Sequence, residues 1–221
     1  MGPFLLNKYS MDTRYIKLSV PIELEKYSTQ LLTRSGNYRD NPINPQLLFS
    51  IVPKLEKFNS LLNQEGLTLF KPKTMTVPPG DWNPIHIDSS TLRANHPISL
   101  GLNFPIKNGP SSITRWYDFK DTGIGVKRFF WATNKGGALT PELYAIDPQE
   151  VVDRYAVDSM QLDGCYLFFS GQPHNVDSRH SKVWRSMLSI RICYTNTPQE
   201  LVGWSKRHYV EEIINRISLL L

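Results

Sequence analysis

Between about Leu67 and Tyr194 the chain is a succession of short runs rich in β-branched and aromatic residues. They read "GLTLF", "SLGLNFPI", "SSITRWYDF", "VKRFFWAT", "GCYLFFS" and "RSMLSIRICY", and Gly, Pro, Asn and Asp separate them. Runs this short suit strands rather than helices, and turn residues at each break let the chain reverse. Many such strands in close succession lead to an antiparallel barrel or jelly roll. Helical spacing is confined to the ends. "VPIELEKYSTQLLTR" carries Pro21 near a helix start. "NPQLLFSIVPKLEKFNSLLNQEG" has Asn44 to cap, Pro45 for the first turn, Pro53 to kink or divide it and Gly66 to end it. "SKRHYVEEIINRISLLL" puts Tyr209, Ile213, Ile217 and Leu220 on one face. "PQEVVDRYAV" fits either a short helix or a strand. The expected fold is mainly β with flanking helices (α+β), a jelly roll with N-terminal helices packed on one sheet and a C-terminal helix. The expected organisation is a single domain over 1–221: a helical part at 1–66, a β core at 67–194 and a helical segment at 195–221.

Composition narrows the function classes. With 221 residues, 40% hydrophobic and 20% charged, the chain can bury a sizeable core. The net charge of +5 is scattered, with no block of like charges to act as a tail for nucleic acid. No apolar run approaches the ~20 residues of a membrane helix, and the N-terminus has too short an apolar stretch for a secretory signal. A cytoplasmic protein without a membrane partner is the expectation. Cys165 and Cys193 each sit in an apolar run and are expected as buried thiols, a disulfide or a reactive thiol being the alternatives.

The stretch "DWNPIHIDSS" holds His86 and Asp88. Residues two apart on a strand share a face, and an imidazole beside a carboxylate suits a divalent metal. Alone, the pair reads equally as a surface ion pair or a turn. His174 follows a strand across "SGQP". The strand after it, from about Trp184, places Arg185, Met187, Ser189 and Arg191 on one face, with Trp184, Ser186, Leu188, Ile190 and Ile192 on the other. Arginines facing a core require an anion; arginines facing solvent do not.

His-x-Asp, then a distal His, then an Arg about ten residues on resembles the iron(II)- and 2-oxoglutarate-dependent oxygenases, over roughly Leu67 to Tyr194. The resemblance implies a double-stranded β-helix, a cupin-like jelly-roll variant, with His86, Asp88 and His174 as a facial triad on Fe(II). It implies Arg185 on the distal carboxylate of 2-oxoglutarate, with O2 as the third reactant. Arg185 and Arg191 form an Arg-x5-Arg pattern like that of the alkylation-repair branch, where both arginines serve the cosubstrate. The stretch "LGLNFPIKNGPSSITRWYDF" resembles a segment in small members of the superfamily, which makes Asn103 and Tyr117 candidates for the cosubstrate pocket. His180, in "NVDSRHSK", is an alternative ligand, while His96 and His208 read as a loop and a helix-surface residue. A cupin-type metal protein, or a nonenzymatic β-sandwich binding module, is the rival reading. The implied substrate is a small molecule or a protein side chain. Segment 119–135 mixes Lys120, Lys127, Arg128 and Lys135 with Phe119, Phe129, Phe130 and Trp131. That mix suits single-stranded nucleic acid but is equally a hairpin with core aromatics, so nucleic acid is not the favoured partner.

Overall fold

The computed structural model describes residues 14–32, 40–87, 100–119, 137–138, 146–169, 172–195 and 212–217. Asn44 caps as its position suggested. Its side-chain oxygen accepts from the N–H groups of Gln46 and Leu47 at 2.9 and 3.2 Å, satisfying two donors that a helix start leaves over. Pro53 divides the stretch: α2 (Pro45–Ile51) ends at Val52 and α3 (Pro53–Gln64) begins anew. Gly66, at φ 71°, turns the chain out of α3 through a region glycine enters without strain. The earlier segment is less helical than its spacing predicts, with one 3-10 turn (Glu25–Tyr27) leading into α1 (Ser28–Leu32). "PQEVVDRYAV" is both helix and strand. Asp147 accepts from Gln149 N and Glu150 N to cap the helix α4 (Pro148–Tyr155), which passes directly into the strand β8 (Ala156–Gln161).

The strands form two antiparallel sheets. The larger has the order β1 (Tyr15–Leu18), β9 (Cys165–Phe169), β5 (Leu100–Lys107), β11 (Arg185–Tyr194), β3 (Leu67–Val77), β2 (Asp40–Pro42). The smaller has the order β7 (Gly137–Ala138), β4 (His86–Ile87), β10 (His174–Asp177), β6 (Ile113–Tyr117), then β8. Residues 1–66 are thus not purely helical: β1 pairs with β9 and β2 with β3, each ending the larger sheet. Their three or four residues are too few to show a period in the sequence.

Strand alternation sorts the core into three layers. On the outer face of the larger sheet, Leu188, Ile190 and Ile192 pack with Leu55 and Leu62 of α3 and with Ile213 and Ile217. Those last two lie on the helical segment 212–217, part of the expected C-terminal helix; Tyr209 and Leu220 lie outside the described residues. Arg216 fastens this segment to the end of α3, donating to Glu65 O at 2.7 Å. Between the sheets lie Trp116, Met160, Tyr166, Phe168 and Met187. On the outer face of the smaller sheet, Ile85, Tyr117 and Phe119 pack with Val151 of α4. Cys165 and Cys193 are buried free thiols on separate strands, and burial pushes Cys193 up to about 11. Among the described residues no helix is long and apolar enough to cross a membrane.

Candidate metal and cosubstrate site

His174 opens β10, and its backbone pairs with His86 on one side and Trp116 on the other. Direct cross-strand pairing brings the two imidazoles together, ring centres 4.5 Å apart. Two imidazoles bound side by side on one octahedral metal at ~2.1 Å would have ring centres roughly 4.6 Å apart. His174 is 3% exposed, and its ring meets the edge or face of Phe168, 5.0 Å away, from the opposite sheet. The pair therefore faces the space between the sheets.

Each ring is held by the carbonyl two residues before it. His86 Nδ1 donates to Pro84 O and His174 Nδ1 to Gln172 O, both at 2.8 Å. A carbonyl oxygen only accepts, so Nδ1 carries the hydrogen in both rings and the lone pair of the neutral imidazole lies on Nε2. This is the tautomer and the outer hydrogen bond usual for metal-binding histidines. Asp88, expected as the carboxylate of the set, lies outside the described residues, as do His96, His208 and segment 120–135. His180 is exposed in the turn beyond β10, on the far side of the strand from the start that carries His174, so it does not join the pair.

Arg185 is 1% exposed and lies on the strand face of Met187, inside the sandwich. Its Nε and Nη1 are sealed from solvent without a hydrogen-bond partner. Desolvation pulls its pKa down to about 10, and no acid among the described residues pairs with it. A buried cation with unmet donors is costly, and a bidentate carboxylate is the group that meets them best. Asn103, 5% exposed, also lies on the interior face, opposite Ser189 and Tyr166. Its Oδ1 is buried without a partner. Arg191 shares the face of Arg185 and lies over Gly101, where an added Cβ would meet its Nη1 at 3.3 Å. Gly101 pairs with Phe168 on one side and Arg191 on the other. Phe168 in turn meets His174, and Arg185 and Arg191 stand toward opposite ends of β11.

Tyr117 is not brought to this interior. It follows Trp116 on β6 and so points the other way, stacking on Phe119 at 5.9 Å with its hydroxyl donating to Asn175 Oδ1 at 2.8 Å. Burial raises its pKa, which keeps the phenol a donor. The strand face, which "ITRWY" alone leaves open because both aromatics are buried, is set by α4 packing on the Tyr117 side.

The turn after β10 is fastened by Asp177. Its carboxylate takes Arg179 Nε and Nη2 at 3.0 and 2.9 Å and Arg115 Nε at 3.3 Å, while Arg179 also lies 4.6 Å over the Trp82 ring. Burial alone would raise this carboxyl, but the arginine pairings outweigh it and hold the pKa below the ordinary value. A carboxyl depressed by folding contributes stability above its unfolded pKa, about 3.9, and loses it as pH falls through the lower folded value. Asp177→Asn should therefore flatten the acid limb of the stability curve. At neutral pH it should cost about 2 kcal/mol, given ~1.5–3 kcal/mol for hydrogen bonds to charged groups. Urea unfolding of both proteins at pH 7 and at pH 3 checks this; equal slopes would assign the acid sensitivity elsewhere.

No protein-family model and no curated protein matches the chain. Its structure resembles solved ones. The non-heme alpha ketoglutarate dependent epimerase SnoN from nogalamycin biosynthesis aligns with a TM-score of 0.50 and 11% identity, over 81% of this chain and 76% of that one. HygX from Streptomyces hygroscopicus with iron bound aligns at 0.47 and 10%, over 86% and 90%. A prolyl-4-hydroxylase from Pseudomonas putida aligns at 0.44 and 13%, over 82% and 92%. At such identity the likeness concerns fold, and it agrees with the strand order above: the chain folds as a double-stranded β-helix, the fold it shares with SnoN.

Proposed function

We propose that this chain is a non-heme iron(II)- and 2-oxoglutarate-dependent dioxygenase. It would oxidise an organic substrate, most simply by hydroxylation, while 2-oxoglutarate becomes succinate and carbon dioxide. The observation that carries the reading is Arg185, a buried guanidinium with two nitrogens lacking hydrogen-bond partners, in the same interior as two imidazoles fixed in the metal-binding tautomer. The donor set fits iron(II): His86 and His174 would hold it through Nε2, with Asp88 as the carboxylate ligand. Bound iron would supply the redox chemistry that activates O2.

The chain's own residues do the rest. Arg185 would take the distal carboxylate of 2-oxoglutarate by a two-pronged ion pair. Arg185 lies on the interior face of β11, and its long side chain would reach back toward the histidines to meet the carboxylate tail of a cosubstrate whose head binds the metal. Asn103, on the same interior face, would contact its middle. Met187, Trp116 and Phe168 line the same space and would keep water from it. The prime substrate is proposed as a small molecule or a protein side chain.

The test is succinate release by purified protein with iron(II), 2-oxoglutarate and a broad substrate panel. We expect a rate that requires iron and disappears in Asp88→Ala, and a small rate without prime substrate. Equal succinate from both proteins would reject Asp88 as a ligand. No succinate, with no binding of 2-oxoglutarate, would favour the rival of a nonenzymatic binding module.

A further inference from the structure

Asn175 is 0% exposed and adjoins His174 on the opposite face of β10. Its amide makes two bonds in opposite directions. Nδ2 donates to Asn83 O at 3.0 Å, and Oδ1 accepts from the Tyr117 hydroxyl at 2.8 Å. The network fixes which end is which, because Asn83 O can only accept. Asn83 is also tied to β10 by its own N–H, donating to Val176 O at 3.2 Å. It immediately precedes Pro84, whose carbonyl holds His86. Tyr117 meanwhile donates its backbone N–H to Pro173 O at 3.0 Å, beside Gln172, whose carbonyl holds His174.

We infer that Tyr117 and Asn175 form a buried brace that sets the spacing and tautomer of the His86–His174 pair, acting as positioning residues rather than as cosubstrate contacts. The inference rests on the metal-site reading above. One side-chain chain, Tyr117–Asn175–Asn83, spans the two segments whose carbonyls orient the two rings. Neither bracing residue faces the interior. They bond to each other, and Asn175 bonds to the Asn83 carbonyl, which is what an outer support requires. If the brace is lost, the segment before β4 keeps its backbone ties to β10, among them the Trp82–Asp177 bridge and Asn83 N–H to Val176 O. It loses the side-chain tie nearest the rings, so their separation is set less closely.

The experiment compares Asn175→Leu, Tyr117→Phe and Val151→Ala. Val151 packs on Tyr117's side of the sheet but belongs to neither histidine support, so its variant serves as a control for plain destabilisation. Binding of cobalt(II), as a spectroscopic substitute for iron, is titrated alongside thermal unfolding. Long-range 15N correlation spectra of the metal-free proteins report the histidine tautomers. Outer-shell changes typically cost ~10–100-fold in metal affinity. We expect losses in that range for Asn175→Leu, smaller ones for Tyr117→Phe and none for Val151→Ala at a comparable fall in Tm. Asn175→Leu should also broaden or mix the Nδ1–H signals of His86 and His174. Unchanged tautomers together with unchanged metal affinity in Asn175→Leu would overturn the brace, as would losses that merely track Tm across all three variants. If the unaltered protein binds no divalent metal, the metal-site reading fails, and the tautomer spectra still decide whether the brace orients the rings.

Discussion

Arg185→Met should make the metal-free protein more stable while all but abolishing its binding of 2-oxoglutarate. The two effects have opposite signs for one reason. The guanidinium is 1% exposed and two of its nitrogens are sealed without a partner, so folding strips their hydration and returns no hydrogen bond to them. Methionine is similar in length, flexible enough to fill the space beside Met187, and carries no charge to desolvate. Replacing buried ion pairs by apolar residues commonly gains ~1–4 kcal/mol, and here no acid among the described residues pairs with the ion. With 2-oxoglutarate bound, the balance reverses. Losing one partner of a buried, hydrogen-bonded charge pair costs about 2–5 kcal/mol, at least ~30-fold in affinity. Arg185→Lys should fall between, since a point charge cannot replace the planar fork. Urea unfolding without ligand and calorimetric titration of the metal-loaded proteins measure both sides. A variant less stable than the parent, yet unchanged in 2-oxoglutarate affinity, would make Arg185 a structural residue.

His174→Ala should have the larger effect on metal. It removes one of the imidazoles that meet at 4.5 Å and opens a space beside Phe168. Loss of the ligand itself should exceed the ~10–100-fold cost of disturbing an outer-shell partner, leaving no iron bound at micromolar concentrations. The stability cost should be moderate, about 1–3 kcal/mol, because a buried side chain is deleted. His180→Ala, in the exposed turn, should change neither quantity. Iron content after dialysis, measured for the three proteins together, separates ligand from bystander. Full iron retention in His174→Ala would remove this histidine from the site.

Much of the architecture was legible in the sequence because one period dominates it. The alternation in "RSMLSIRICY" separates Arg185, Met187, Ser189 and Arg191 from Leu188, Ile190 and Ile192; which set faces the interior is settled only by the packing of the helices on the second set. The caps at Asn44 and the break at Pro53 were equally readable, since they depend on local chemistry alone. What was hidden depended on partners distant in the chain. "HNVD" has neither length nor apolar character enough for a strand, and it becomes β10 because β4 and β6 pair with it on both sides. Without β10, the brace made by Asn175 could not be placed, although a strand would set it opposite His174. The segment resemblance makes Tyr117 a candidate for the cosubstrate pocket, and "ITRWY" alone does not choose between the faces of β6. The packing of α4 makes that choice, and it turns the residue outward.

The most direct test of the whole account is an anaerobic titration of 2-oxoglutarate into the protein with and without iron(II). It follows the visible charge-transfer absorption that a 2-oxo acid develops when it chelates iron(II). The account predicts saturable absorption in the iron-loaded parent. Neither Arg185→Met at the same concentrations nor His174→Ala should show it, and the metal-free protein should bind far more weakly. Absence of the band in an iron-loaded parent, or equally tight 2-oxoglutarate binding with and without metal, would contradict it.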